Sequence, residues 1–241
     1  HSLFLTNCSV APTSTPEIPS TPAHTATVEP SATPTPEPTP KVEPKTELTY
    51  KIDAKLDYLG RYLLVNQTIP MPPLDIQPPN ITLLVEAAQY TNGYAVRNLS
   101  FNGTPITEYE LGINRLSFIP ENFDHLSNKN EISLEYELYL PAIPQSNYIK
   151  SQPYGFTERQ MNIVDWYAAL PPQDDNGDWI VHDVYIVGET VVLRMAAVDI
   201  HLVITDFDKP LIIASSVEPR IQNNDYYFET KANRSFAISI S

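Results

Sequence analysis

Five histidines, one cysteine and twenty-nine acidic side chains are the groups from which this 241-residue chain could build chemistry. His1, His24, His125, His182 and His201 never fall into a His-Glu-x-x-His arrangement, so the helical zinc site that spacing creates is absent from the sequence. There is no Gly-x-Ser-x-Gly, no phosphate-cradling glycine loop, and Cys8 does not stand in a nucleophile motif. His182 and His201 fall within strand patterns and read as packed or edge side chains. Asp165, Asp183 and Glu189 could work as paired carboxylates only if the fold gathers them; turn or edge residues are the preferred reading. Asp174-Asp175-Asn176-Gly177-Asp178 sets oxygens at close spacing around a glycine, as a calcium loop does. The bidentate Glu such a loop needs downstream is not at the required interval, and a solvated acidic turn is the competing reading. The sequence therefore names no catalytic residue and no metal ligand.

What it does concentrate is aromatic surface. Both tryptophans, Trp166 and Trp179, lie between Arg159 and Glu189, with Tyr167, Pro171-Pro172 and an acidic turn beside them. Large aromatics around one irregular connection either lock a loop against a sheet or line a surface that meets something else. Trp166, Tyr167 and Trp179 are expected to be structural first.

The elements that must position this stretch read as strands. Leu48, Tyr50, Ile52, Ala54 and Leu56 alternate with polar residues, Asp57 to Gly60 reads as a turn, and Arg61 to Ile69 returns as a second strand. Ile132, Leu134, Tyr136, Leu138 and Leu140 alternate as clearly. Ile81–Ala88, Tyr94–Phe101, Ile106–Leu111, Arg115–Ile119, Phe156–Val164, Val191–Ile204, Leu211–Ser215, Tyr226–Thr230 and Phe236–Ile240 are expected as further strands. Asn102-Gly103 marks a tight turn. No stretch keeps a capped 3.6-residue period. The fold class is all-β: an antiparallel sandwich or curved, saddle-shaped sheet.

Residues 1–46 differ in kind. Leu5-Thr6-Asn7-Cys8 resembles the end of a bacterial lipoprotein signal, in which the cysteine is lipidated, although Asn7 stands where a small Gly or Ala is usual. Residues 9–46, rich in Pro, Thr, Ser and Glu, are expected to be a disordered, extended spacer reaching up to roughly 100 Å. A mucin-like stalk is the other reading of that composition. The domain boundaries expected are thus 1–8, 9–46 and 47–241. The sequons at Asn66, Asn80, Asn98, Asn102 and Asn233 are what an Asn- and Thr-rich chain produces by chance. A formal charge of −14 disfavours nucleic acid as a partner.

A family resemblance is carried by Arg159-Gln160-Met161-Asn162, Asp165-Trp166-Tyr167, Pro171-Pro172, Gly177-x-Trp179, His182 and Gly188-Glu189. These look like the N-terminal β domain of bacterial relatives of the membrane alanyl aminopeptidases, zinc peptidases of the gluzincin class. Ala197-x-Asp199-x-His201-Leu202 and Arg234 to Ser239 fit later strands of that domain. Ala168 departs from the proline usual after the Trp-Tyr pair. The resemblance implies a non-catalytic, saddle-shaped domain that packs on a catalytic peptidase domain and borders its substrate cleft. Zinc is then expected only in that other domain, and hydrolysis by this chain is not implied. It further implies that Gln160 helps hold the substrate's free amino terminus, since an amide oxygen accepts from an ammonium without adding charge; a Gln on a solvated strand face is the alternative. With Cys8 lipidated, the expected location is extracytoplasmic, with the lipid anchoring the chain to the bacterial cell envelope. Two other functions stay open: a free-standing module that binds glycan or peptide on Trp166, Tyr167 and Trp179, and a purely structural envelope protein.

Overall fold

The computed structural model describes residues 48–144, 154–184 and 191–241. Cys8, the spacer and the Val187-Gly188-Glu189 motif lie outside the described residues. Almost all regular structure is strand. In chain order the strands are β1 (Thr49–Asp57), β2 (Tyr62–Pro70), β3 (Ile81–Leu84), β4 (Tyr94–Phe101), β5 (Thr104–Pro105), β6 (Tyr109–Leu111), β7 (Arg115–Phe118) and β8 (Glu131–Tyr139). They continue with β9 (Gly155–Phe156), β10 (Met161–Val164), β11 (Ala196–Thr205), β12 (Ile213–Ser215), β13 (Arg220–Gln222), β14 (Asp225–Asn233) and β15 (Ala237–Ile240).

They form three open sheets. The largest has the order β13-β14-β11-β1-β2-β8-β4-β5; a four-stranded sheet runs β12-β15-β10-β9 and a three-stranded one β3-β7-β6. Alternation decides the faces. Tyr50, Ile52, Ala54 and Leu56 of β1 and Ile132, Leu134, Tyr136 and Leu138 of β8 turn inward, where one hydrophobic cluster joins the three sheets. The polar residues between them form the outer face of the large sheet, as a half-buried antiparallel sheet requires.

Three expectations change. β1 and β11 pair in parallel, in register from Thr49 with Ala197 to Asp57 with Thr205, so the centre of the large sheet is mixed and most of the chain forms the crossover. The run expected as one strand from Phe156 to Val164 is a hairpin, β9 and β10, because Thr157 interrupts it. Its hydroxyl accepts from the N–H of Arg159 (3.2 Å) and of Gln160 (3.1 Å), closing a turn. The strand expected over Ile81–Ala88 stops at Leu84 and gives way to one 3-10 turn, Glu86–Gln89. Asn102-Gly103 does make the tight turn between β4 and β5, with φ of 50° and 78°. No helix among the described residues is long and apolar enough to cross a membrane.

Candidate functional site

The aromatic stretch begins where β10 ends. Asp165 takes the left-handed conformation (φ 47°), which turns the chain off the sheet. Its N–H donates to the Phe236 carbonyl at 3.2 Å, and its Oδ1 accepts from the Phe236 N–H at 3.3 Å. The carboxylate thus ties the end of β10 to the start of β15. Burial is the main cause holding its pKa above the ordinary Asp value, opposed by the hydrogen bonds from Ser235 and Phe236.

From there Trp166 to Leu170 crosses the molecule as a buried strap, with Trp166 only 1% exposed. Such a segment must find partners for its backbone groups away from water. Gln67, at an inward position of β2, supplies two: its Nε2 donates to the Ala168 carbonyl at 2.7 Å and its Oε1 accepts from the Ala168 N–H at 3.0 Å. One amide side chain so imitates a strand neighbour. The Tyr136 hydroxyl donates to the same Oε1 at 2.9 Å and fixes the amide's orientation. The Tyr50 hydroxyl accepts from the Leu170 N–H at 2.9 Å. Between these, Ala169 exchanges both backbone bonds with Leu84 of β3, at 2.8 and 2.9 Å. The strap is therefore stitched to the large sheet on one side and to the three-stranded sheet on the other. Tyr167 packs on Tyr50 (ring centroids 5.4 Å) and edge-on to Trp166 (6.1 Å).

Beyond Pro171-Pro172, Gln173 and Trp179 bridge, and the acidic run is the tip of that small loop. Asp174 Oδ1 accepts from the N–H groups of Asn176 and Asp178, both at 2.9 Å; these bonds hold its pKa below the ordinary Asp value. Gly177, at φ 87°, allows the return. The side-chain oxygen a calcium ion would use is thus the cap of a turn. Half-buried Trp179 donates from Nε1 to the Asn80 carbonyl at 2.8 Å. With Trp166 and Tyr167 in the core, the three aromatics do not form an exposed row on which a glycan or peptide could stack.

Gln160 is exposed and stands at the close of the Thr157 turn, one residue before β10 rather than on a strand. Its Nε2 donates to Asn162 Oδ1 at 3.2 Å, which also accepts from the Ser239 hydroxyl at 2.9 Å. Gln160, Asn162 and Ser239 thus form one polar cluster on the four-stranded sheet. It can offer amide and hydroxyl groups to a ligand, and its one hydroxyl donates to an amide oxygen, which is not a base that would activate it.

The other candidates separate. Asp183 is exposed and pairs with Arg115 at 2.5 Å. Asp165 instead lines a cavity of about 120 Å³ with Glu86, Tyr90 and Tyr154. Burial is the largest cause raising the Glu86 pKa, and Asp165 adds to it. Glu189 lies outside the described residues. His201 sits between two carboxylates, Asp53 on Nδ1 and Asp225 on Nε2, both at 3.0 Å. His182 is exposed, and its carbonyl accepts from Asn114 Nδ2 at 2.9 Å. Among the described residues, no three His, Cys, Asp or Glu side chains come together as metal ligands, so these residues do not fit a zinc ion.

No family model and no curated protein matches the chain. Among solved structures it is similar to an M1 zinc metallopeptidase from Deinococcus radiodurans, at 11% identity and a TM-score of 0.43, over 80% of this chain and 42% of that one. It is similar also to aminopeptidase A of Legionella pneumophila, at 14% identity and a TM-score of 0.45, over 81% of this chain and 21% of that one. A third is the LTA4 hydrolase of yeast, at 11% identity and a TM-score of 0.43, over 86% and 31%. The chain spans less than half the length of each.

Of the residues that hold the strap, Tyr50 and Tyr136 show in the sequence only as inward strand positions, and Gln67, Leu84 and the nearby Glu86 do not stand out as site residues. Gln67 had a signal: it is polar at an inward position otherwise filled by Leu63, Val65 and Ile69. Glu86 had none, since it follows an apolar run with the look of a strand.

Proposed function

We propose that this chain is the non-catalytic N-terminal β domain of an aminopeptidase-like zinc peptidase. It packs on a catalytic domain outside these residues and borders that domain's substrate cleft. The observation that carries the reading is the division of labour within the motif-bearing stretch. The Asp165-Trp166-Tyr167 segment is spent on internal fastening, while Gln160, one turn upstream, is exposed beside Asn162 and Ser239. A frame that fixes β10 rigidly serves a group that must meet a ligand shared with another domain. Gln160 then accepts from the ammonium of a peptide's amino terminus. Zinc belongs to that catalytic domain. Lipidation at Cys8 and a proline-rich spacer hold the domain outside the bacterial cell membrane.

The test is a protein extended past Ser241 in its reading frame. It should contain a His-Glu-x-x-His segment and cleave an alanyl chromogenic substrate in a chelator-sensitive manner, whereas residues 1–241 alone should not. An extended protein without that segment or that activity would overturn the proposal.

A further inference from the structure

The outer face of the large sheet, opposite the face the aromatic strap crosses, carries a second feature. Four central strands, β1, β2, β8 and β4, align their outward side chains in two adjacent rows. One row is Asp53, Asn66, Glu135 and Asn98; the other is Lys51, Thr68, Ser133 and Ser100. With Gln67 and Leu134 between the rows, they line a groove of about 430 Å³, within the range of small-ligand sites. A polar outer face is ordinary for such a sheet. The neighbouring row of the same face, however, carries Lys55, Leu64 and Glu137. In the groove five of eight side chains are short uncharged hydroxyls and amides, so the floor is low and polar. Its larger groups are held in place: His201 Nδ1 lies 3.0 Å from Asp53 Oδ1, and Asn98 Nδ2 donates to Glu135.

The chemistry of that lining selects its ligand. No outward side chain offers an apolar or aromatic subsite. β1, β2 and β8 are paired on both sides, and β4 meets β5 only at Ser100 and Phe101. A peptide could therefore add as a further strand only at the rim of the groove, not across its floor. Two carboxylates against one ammonium, in a chain of net charge −14, repel polyanions, and with Asp53 on His201 and Glu135 on Asn98 they give a polycation no run of free acids. What remains complementary is a molecule studded with hydroxyls, each able to donate to a carboxylate or amide oxygen and accept from an amide or ammonium. We infer that this groove binds a neutral oligosaccharide laid across β1, β2, β8 and β4. The strands span about 14 Å at the usual inter-strand spacing, room for a short segment of a glycan chain.

The experiment is a titration of the 241-residue protein with cellopentaose, chitopentaose, maltopentaose and, as an anionic probe, pentagalacturonate, followed by amide NMR. At least one neutral sugar should give saturable shifts confined to the four groove strands. Asn66→Ala should weaken that binding about tenfold, the worth of one good hydrogen bond. Ser133→Tyr, which fills the floor from an outward position, should abolish it while leaving the remaining spectrum in place. Three results would overturn the inference: no saturable shift with any neutral sugar, binding that survives Ser133→Tyr in a folded protein, or tighter binding of the galacturonate.

Discussion

Gln67 shows how much one side chain can decide. Its amide satisfies both backbone groups of Ala168 and accepts from the Tyr136 hydroxyl at 2% exposure, so Gln67→Met keeps the volume and orphans three buried polar groups. Each should cost about 1–3 kcal/mol, read as a lowered midpoint in denaturant unfolding, whereas substituting exposed Gln160 should cost little. His201 gives a pH signature. Both ring nitrogens face carboxylates, Asp225 being the larger cause, so its folded pKa lies above the ordinary 6.5. A raised histidine pKa means the folded state holds the proton more tightly. The resulting stability is fully present below pH 6.5 and is lost as pH rises through the folded value. The melting temperature should therefore fall over that window in the parent, and His201→Gln should flatten the fall. Glu137, lowered chiefly by Arg97, has the opposite sign: its contribution is present above pH 4.5 and lost on acidification.

At the scale of elements, the strap is the unexpected part. Trp166 to Leu170 belongs to no sheet strand, yet Ala168, Ala169 and Leu170 each donate an N–H to a buried partner. Their amides should exchange with deuterium as slowly as those of β1 and β8, while Asn176 and Asp178 in the acidic tip exchange fast. Rapid exchange across the strap would show that it opens locally. The strands were legible where one face is buried and the other wet: β1, β2 and β8 wrote their alternation into the sequence. The β9–β10 hairpin was not legible, because one threonine hydroxyl makes its turn within a run of strand-forming residues. The parallel pairing of β1 with β11 was not legible either. Its partners lie far apart in the chain, as Asp53 and His201 do at 148 residues, and alternation reports a buried face but not which strand adjoins it.

Among the described residues three sheets share one hydrophobic core, and the strap passes between two of them, so its loss reaches both. The aromatic cluster was visible in the sequence from composition alone. Its partners were not, because a lone Gln or Tyr in a strand does not announce what will cross above it. A domain of this kind holds about 5–15 kcal/mol of stability, and truncating a buried tryptophan removes about 3–5 kcal/mol. Trp166 frames the domain while Gln160 faces outward, and unfolding in denaturant tests this division directly. Trp166→Ala should lower the midpoint strongly, by a large share of the total stability, and Gln160→Ala should leave it within about 0.5 kcal/mol of the parent. A Trp166→Ala protein as stable as the parent would contradict the account.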